Sequence, residues 1–325
     1  MICPTLSHTN FTRNDDLALH AFKYSVRHPF NHLANWSNTS SICNWAGVTC
    51  DANSERVSIL NLADMSLTGT LTPQVGNLSS LVELDLHSNS FHGELPKGLL
   101  QLQKLKILNL SSNEFDGKIP AWFGRDIPNE IANLRNLKAI HLDANNLFGY
   151  IPRNIGSSIS LQELDLGSHN LQGYIPEGIG KLDMLQVLGL DHNNLQGDIP
   201  TEIGHLQNLK ILYLDTNKLS GQISSNIFNI SELQEIDLSW NNLSGSIPSD
   251  ICQGLPKLQA LGLQKNEFSG SLPSNWIQCK ELKYLNLEYN FFTVCYRAEP
   301  IYSFIKTFLG KKYPQYHCTA NPVNP

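Results

Sequence analysis

Asp143, Asp191 and Asp215 each stand two residues ahead of an asparagine, at Asn145, Asn193 and Asn217, and the last two aspartates are 24 residues apart. Carboxylates that recur at one place in a periodic chain come to lie on one surface, where they can steer and fix a cation. Val187, Ile211, Tyr213 and Glu235 fill neighbouring places in the same period, so the expected binding patch mixes charge with apolar and aromatic surface. Catalytic chemistry has no such support. The chain contains no G-x-S-x-G, H-E-x-x-H or P-loop, and none of the phosphotransferase signatures G-x-G-x-x-G-x-V, H-R-D and D-F-G. A carboxylate pair for glycoside hydrolysis would have to be desolvated and tuned, and an open repetitive surface gives no reason for one. We expect no catalytic residue, no cofactor and no metal.

What positions these residues is a repeat. Glycine returns at Gly69, Gly93, Gly117, Gly149, Gly173, Gly197, Gly221, Gly245 and Gly270, every 24 residues apart from one gap of 32 and one of 25. Around each runs L-x-x-L-x-L-x-x-N-x-L/F-x-G-x-I/L-P, as in Leu84-Asp85-Leu86-His87-Ser88-Asn89 before Gly93. A fixed period of this size means stacked units that bury a continuous core between neighbours. Ten asparagine slots can be counted: Met65, Asn89, Asn113, Asn145, His169, Asn193, Asn217, Asn241, Asn266 and Asn290. A buried side-chain amide there can donate to and accept from the backbone of adjoining coils, and His169 reads as a core histidine doing the same work. In each strand the leucines three and five before the slot face the core, while positions two, four and six before it face outward. Those outward positions hold ten acids (Glu83, Asp85, Asp143, Glu163, Asp165, Asp191, Asp215, Glu235, Asp237 and Glu288) and no Lys or Arg.

The 325 residues carry a formal charge of −6, which excludes a basic nucleic-acid surface. No apolar run approaches the roughly 20 residues a membrane span needs, and Met1 to His8 lacks the basic and apolar regions of a secretory signal. Other features point outside the cell. Sequons stand at Asn10, Asn35, Asn38, Asn77, Asn109, Asn229 and Asn242. Of seven cysteines, Cys43 and Cys50 are spaced to bridge beside Trp36 and Trp45; zinc is the rival reading, but no C-x-x-C or histidine cluster is near. Cys252 and Cys279 fall in consecutive repeats, as a staple between coils or as two free thiols. Cys295 and Cys318 could close the end of the stack, which leaves Cys3 as the odd thiol.

Residues 14 to 28 read as a helix, with Asn14 or Asp15 as N-cap and Leu17, Ala18, Ala21, Phe22 and Val26 as its apolar face. Asn14-Asp15-Asp16-Leu17-Ala18-Leu19-His20-Ala21-Phe22-Lys23, then Trp36 and Cys43-Asn44-Trp45-Ala46-Gly47-Val48-Thr49-Cys50, resembles the N-terminal cap of plant leucine-rich-repeat receptor kinases and receptor-like proteins. The 24-residue repeat with G-x-I-P is similar to the plant extracellular subtype, and together the resemblance covers residues 14 to 290. It implies an α/β repeat solenoid, a right-handed superhelix of about ten repeats behind a helical, disulfide-bounded cap. It also implies a glycosylated, extracellular or cell-surface module for plant signalling or defence. Such a module binds a peptide or protein ligand and commonly docks a leucine-rich-repeat co-receptor kinase. The Arg-x-Arg pair that holds a free peptide carboxylate in plant peptide-hormone receptors has no counterpart on this inner face.

The expected division is residues 1–13 as a disordered leader remnant, 14–56 as cap, 57–290 as repeats and 291–325 as an atypical cap or tail. Two alternatives compete with the receptor reading: a secreted protein resembling the polygalacturonase inhibitors, and a truncated, non-functional receptor fragment. The gap of 32 between Gly117 and Gly149 reads as an eight-residue insertion, as two fused repeats, or as a loop displaying Trp122 and Phe123.

Overall fold

In the repeat, a buried leucine or isoleucine flanked by two outward positions dictates a three-residue strand, and the computed structural model of the protein shows one in each described coil after the first, whose strand has five residues. It describes residues 6–37, 39–120, 136–157, 160–273 and 276–293; the side chains of 6–13 and of Ile277 are outside that description. The chain divides into two compact units, Met1–Leu171 and Gln172–Pro325.

In the first unit the inner strands Val57–Asn61, Glu83–Asp85, Ile107–Asn109, Ala139–His141 and Glu163–Asp165 pair in parallel, residue 83 beside 107 beside 139 beside 163. Their central residues, Leu60, Leu84, Leu108, Ile140 and Leu164, are at most 1% exposed. Strand Ile107–Asn109 pairs directly with Ala139–His141, so the inner ladder is continuous across the 32-residue spacing. Trp122 and Phe123 lie outside the described residues.

The asparagine slots tie coil to coil. Asn113 donates from Nδ2 to Leu86 O, Leu110 O and Ser111 O at 2.9, 3.2 and 3.0 Å, and its Oδ1 accepts from Phe91 N at 2.9 Å. Asn89 and Asn145 make the same set. His169 is buried and bonds Asn145 O through Nδ1 at 2.9 Å, as a core residue should. The period glycine has its own reason: Gly93 and Gly117 hold φ of 82° and 90°, a region that costs any side chain strain.

The cap covers the first coil with aromatic rings. Phe22 packs on Phe91 and on Trp36, with centroids 5.9 and 6.0 Å apart, and Trp36 stacks on Trp45 at 5.1 Å. Cys43–Cys50 is a disulfide. Two antiparallel strands, Val26–Arg27 against Thr68–Thr70 and Val48–Cys50 against Val57–Asn61, cover sheet edges that would otherwise present unpaired backbone.

The helix differs from expectation. It runs Leu6–Ser25, taking in residues 6–13, which the sequence assigned to a leader. Asp15 is therefore not an N-cap: it is fully buried, and its carboxylate accepts both Arg56 Nε and Nη2 at 2.7 Å and Val57 N at 3.0 Å. Leu17 points outward at 58% exposure, and Leu19 takes its place in the core.

In the second unit the inner strands are Val187–Gly189, Ile211–Tyr213, Glu235–Asp237, Ala260–Gly262 and Tyr284–Asn286, again parallel and in register. Asn217, Asn241, Asn266 and Asn290 repeat the amide bonds. Cys252 and Cys279 form the inter-coil disulfide. Trp240, Lys265 and Tyr289 precede successive slots, each at positive φ, and Lys265 Nζ lies 4.9 Å from the Trp240 ring centroid and 4.1 Å from that of Tyr289. Cys3, Cys295 and Cys318 lie outside the described residues.

Removing Asp15 alone leaves a largely buried guanidinium without its counter-charge. We expect Asp15→Ala to cost about 3–5 kcal/mol of stability, and Asp15→Leu combined with Arg56→Met to cost clearly less, measured as shifts in urea midpoint.

Candidate functional site

Register decides which outward residues meet. In the second unit one row reads Val187, Ile211, Glu235, Ala260 and Tyr284, and the next reads Gly189, Tyr213, Asp237, Gly262 and Asn286. Strand Ala260–Gly262 offers only a methyl group and a hydrogen between two strands with large side chains. The result is a trough about 9–10 Å wide, two strand spacings, and a hollow of about 260 Å³. Asp191, Tyr213, Asp215, Glu235, Ile236, Asp237, Ala260, Gly262 and Tyr284 line it.

Four of the residues expected in the patch, Asp191, Asp215, Tyr213 and Glu235, are thus brought together. Val187 and Ile211 share the face but not the lining. Asp143 is in the first unit, half-buried beyond strand Ala139–His141. Sequence reasoning missed Asp237, Ala260, Gly262 and Tyr284 as site residues. The signal was two small residues on a single strand, where every other inner strand of this unit carries at least one larger outward side chain.

The lining holds four carboxylates and no Lys or Arg. Tyr213 donates its hydroxyl to Glu235 Oε2. Thr216 Oγ1 donates to Asp215 Oδ2 at 3.0 Å, and His192 Nδ1 lies 3.0 Å from Asp191 Oδ2 and 3.6 Å from Asp215 Oδ2. Asp191, His192 and Asp215 each bring one ligand atom within 4.8 Å of the other two; the two carboxylates are half-buried and His192 is exposed. Burial, followed by the nearby charges of Asp237 and Asp191, pushes the Asp215 carboxyl above its ordinary range, against the lowering effects of Thr216 and His192. Burial and the bond to Glu235 push the Tyr213 phenol up.

The first unit's inner face also sets histidines beside its acids. His87 Nδ1 is 2.8 Å from Asp85 Oδ1, His87 Nε2 is 3.4 Å from Asp64 Oδ2, and His141 Nε2 is 2.9 Å from Glu163 Oε2. The hydrogen bond to Asp85 raises the His87 pKa.

With the geometry in place, comparison with known proteins decides the family. The model of the leucine-rich-repeat N-terminal domain matches residues 13–51, and leucine-rich-repeat models match 80–102, 104–125, 160–182, 184–206 and 207–268. The chain is a leucine-rich-repeat protein. Its relatives are plant receptor kinases: the LRR receptor-like serine/threonine-protein kinase EFR of Arabidopsis thaliana is 49% identical over 65 residues, 20% of this chain and 6% of that protein. The matched stretch is thus a small fraction of the relative's length. Among solved structures, the LRR ectodomain of the plant membrane receptor kinase GASSHO1/SCHENGEN3 from Arabidopsis thaliana, in complex with CASPARIAN STRIP INTEGRITY FACTOR 2, is 33% identical. Its TM-score is 0.78, over 86% of this chain and 33% of that one. A plant ice-binding protein is 29% identical with a TM-score of 0.76, over 87% of each chain.

The raised pKa of Asp215 gives the leucine-rich-repeat array a pH signature. Above the raised pKa the folded chain bears a crowded, ionised carboxylate; below the unfolded value both states are neutral, so Asp215 favours the fold there and loses that contribution as pH rises. Asp215→Asn should therefore stabilise the protein at pH 7 and leave it unchanged near pH 3, as read from melting temperatures at both.

Proposed function

We propose that this chain is a non-enzymatic, extracellular recognition module of the plant receptor type. In our reading the inner face of the second unit binds a peptide or protein segment bearing positive charge. The observation that carries the reading is the trough itself, a concave, partly aromatic surface with four carboxylates and no basic side chain in its lining. Binding there by a cation relieves the like-charge crowding at Asp215, whereas an anionic ligand would worsen it. The relatives' description as receptor kinases supports the receptor type, and a co-receptor kinase of the same repeat class is the second partner that this type implies. The match in length to an ice-binding protein raises another reading. Engaging a crystal lattice calls for a flat array of like side chains. The outer strands instead present mixed residues: Glu114, Asp116 and Lys118 on one coil, and Asn146 and Phe148 on the next.

Two disulfides and exposed sequons agree with an oxidising, extracellular setting. Asn77, Asn229 and Asn242 are exposed. Asn35 donates to Asn44 O at 3.0 Å and accepts from Ala46 N at 3.1 Å, and Asn109 is half-buried with its Oδ1 bonded to Ser111 Oγ at 2.8 Å. Asn10 and Asn38 have no described side chains. In protein secreted from plant cells, glycopeptide mass spectrometry should find Asn77, Asn229 and Asn242 occupied ahead of Asn35 and Asn109. A chain recovered from its native tissue without any glycan would count against the extracellular reading.

The binding reading is tested by panning random peptides displayed on phage against the whole chain. Enriched peptides should carry net positive charge, bind less as salt rises, and lose about tenfold or more in affinity to the Asp191→Asn/Asp215→Asn variant at low ionic strength. Enrichment without charge bias, or unchanged binding by that variant, would sink the proposal.

A further inference from the structure

The trough exists because side chains are missing. Glu235 and Asp237 stand on one flank and Tyr284 and Asn286 on the other, while the floor is the methyl of Ala260 and the bare backbone of Gly262. A Cβ placed on Gly262 would meet Asp237 Oδ1 at 2.5 Å and Cγ at 2.8 Å, so the Asp237 carboxylate leans over the glycine. The backbone N–H of Ser239 donates to Asp237 Oδ1 at 2.9 Å and anchors it there. Ser239, next on that flank, is 2% exposed, and its hydroxyl has no partner among the described residues. Across the trough the Tyr284 side chain is open to solvent at 48% exposure, its hydroxyl accepting from Asn286 Nδ2 at 3.2 Å. Asp191 and Asp215 complete the lining.

We propose, resting on the concave-face reading above, that the trough over Ala260–Gly262 is a subsite for one arginine side chain of the bound peptide. A guanidinium is planar, weakly hydrated, donates in a fork to carboxylates and stacks on aromatic faces. It lies over the Ala260 methyl, with the Asp237 carboxylate, which covers Gly262, on one side and the Tyr284 ring on the other. Glu235 Oε2 accepts the Tyr213 hydroxyl, Asp237 Oδ1 the Ser239 N–H and Asp215 Oδ2 the Thr216 hydroxyl, so the second oxygen of each carboxylate is the acceptor for the guanidinium. A lysine ammonium carries the same charge but is a compact, strongly hydrated point. It satisfies one carboxylate and leaves the ring unused.

The probe is a displayed library of random nonamers panned against the whole chain, followed by resynthesis of the enriched sequence. We expect arginine at one fixed position. Replacing it with citrulline, its neutral isostere, should weaken binding about tenfold or more, and replacing it with lysine severalfold. Ala260→Leu, which fills the trough without changing charge, should erase the arginine preference at that position and spare the others. Asp237→Asn, which keeps the shape, should do the same and guards against misfolding of the first variant. Lysine matching arginine within about twofold, or an arginine preference that survives both substitutions, would overturn the subsite while leaving the concave-face reading intact. Enrichment of nothing above background would overturn that underlying reading as well.

Discussion

A side-chain amide at eight of the ten slots ties each of those coils to its neighbour. At each asparagine slot the Nδ2 group serves carbonyls on its own coil and on the coil before it, and Oδ1 takes an N–H of that earlier coil. These are turn groups that the three-residue strands leave unpaired, buried where water does not reach, and each orphan would cost about 1–3 kcal/mol. With the turn fixed, the residue before the slot is held in the left-handed region whatever its side chain: Ser88, Ala144, His192 and Trp240 all adopt it. The outward positions are then free to vary, and recognition chemistry can be written on them at no cost to the core.

The period, the core leucines and the Cys43–Cys50 disulfide were legible because each repeats or is spaced by a rule that acts locally, whereas Cys252 and Cys279, 27 residues apart, read equally as a bridge or as two free thiols. The helix start was not. Asp15 ahead of an apolar stretch has the local form of a cap, but its partner is Arg56, 41 residues on, and a buried ion pair outweighs a capping preference of about 1 kcal/mol. Outward Leu17 follows from the same shift, since the helix face is set by what it covers.

The site was half legible. Charged and aromatic side chains announce themselves, so Asp191, Tyr213, Asp215 and Glu235 could be named from their slots. Ala260 and Gly262 carry no chemistry, and they shape the surface only once the flanking strands are known to bear Asp237 and Tyr284. Asp237 stands in a slot that also holds Asp85 and Asp165, so its type alone does not single it out, although a recurring residue takes on a particular role beside an empty neighbour. Ile211 and Tyr213 share a strand, yet only the longer phenol side chain enters the lining.

The sandwich of Lys265 between Trp240 and Tyr289 ties three successive coils together on the solvent side, outside the hydrogen-bond ladder. Its contacts depend on coil spacing alone, since all three side chains leave the backbone at equivalent places. An indole whose nearest cation sits one coil away is an optical strain gauge. With the other four tryptophans replaced, Trp240 emission reads the spacing of these three coils directly.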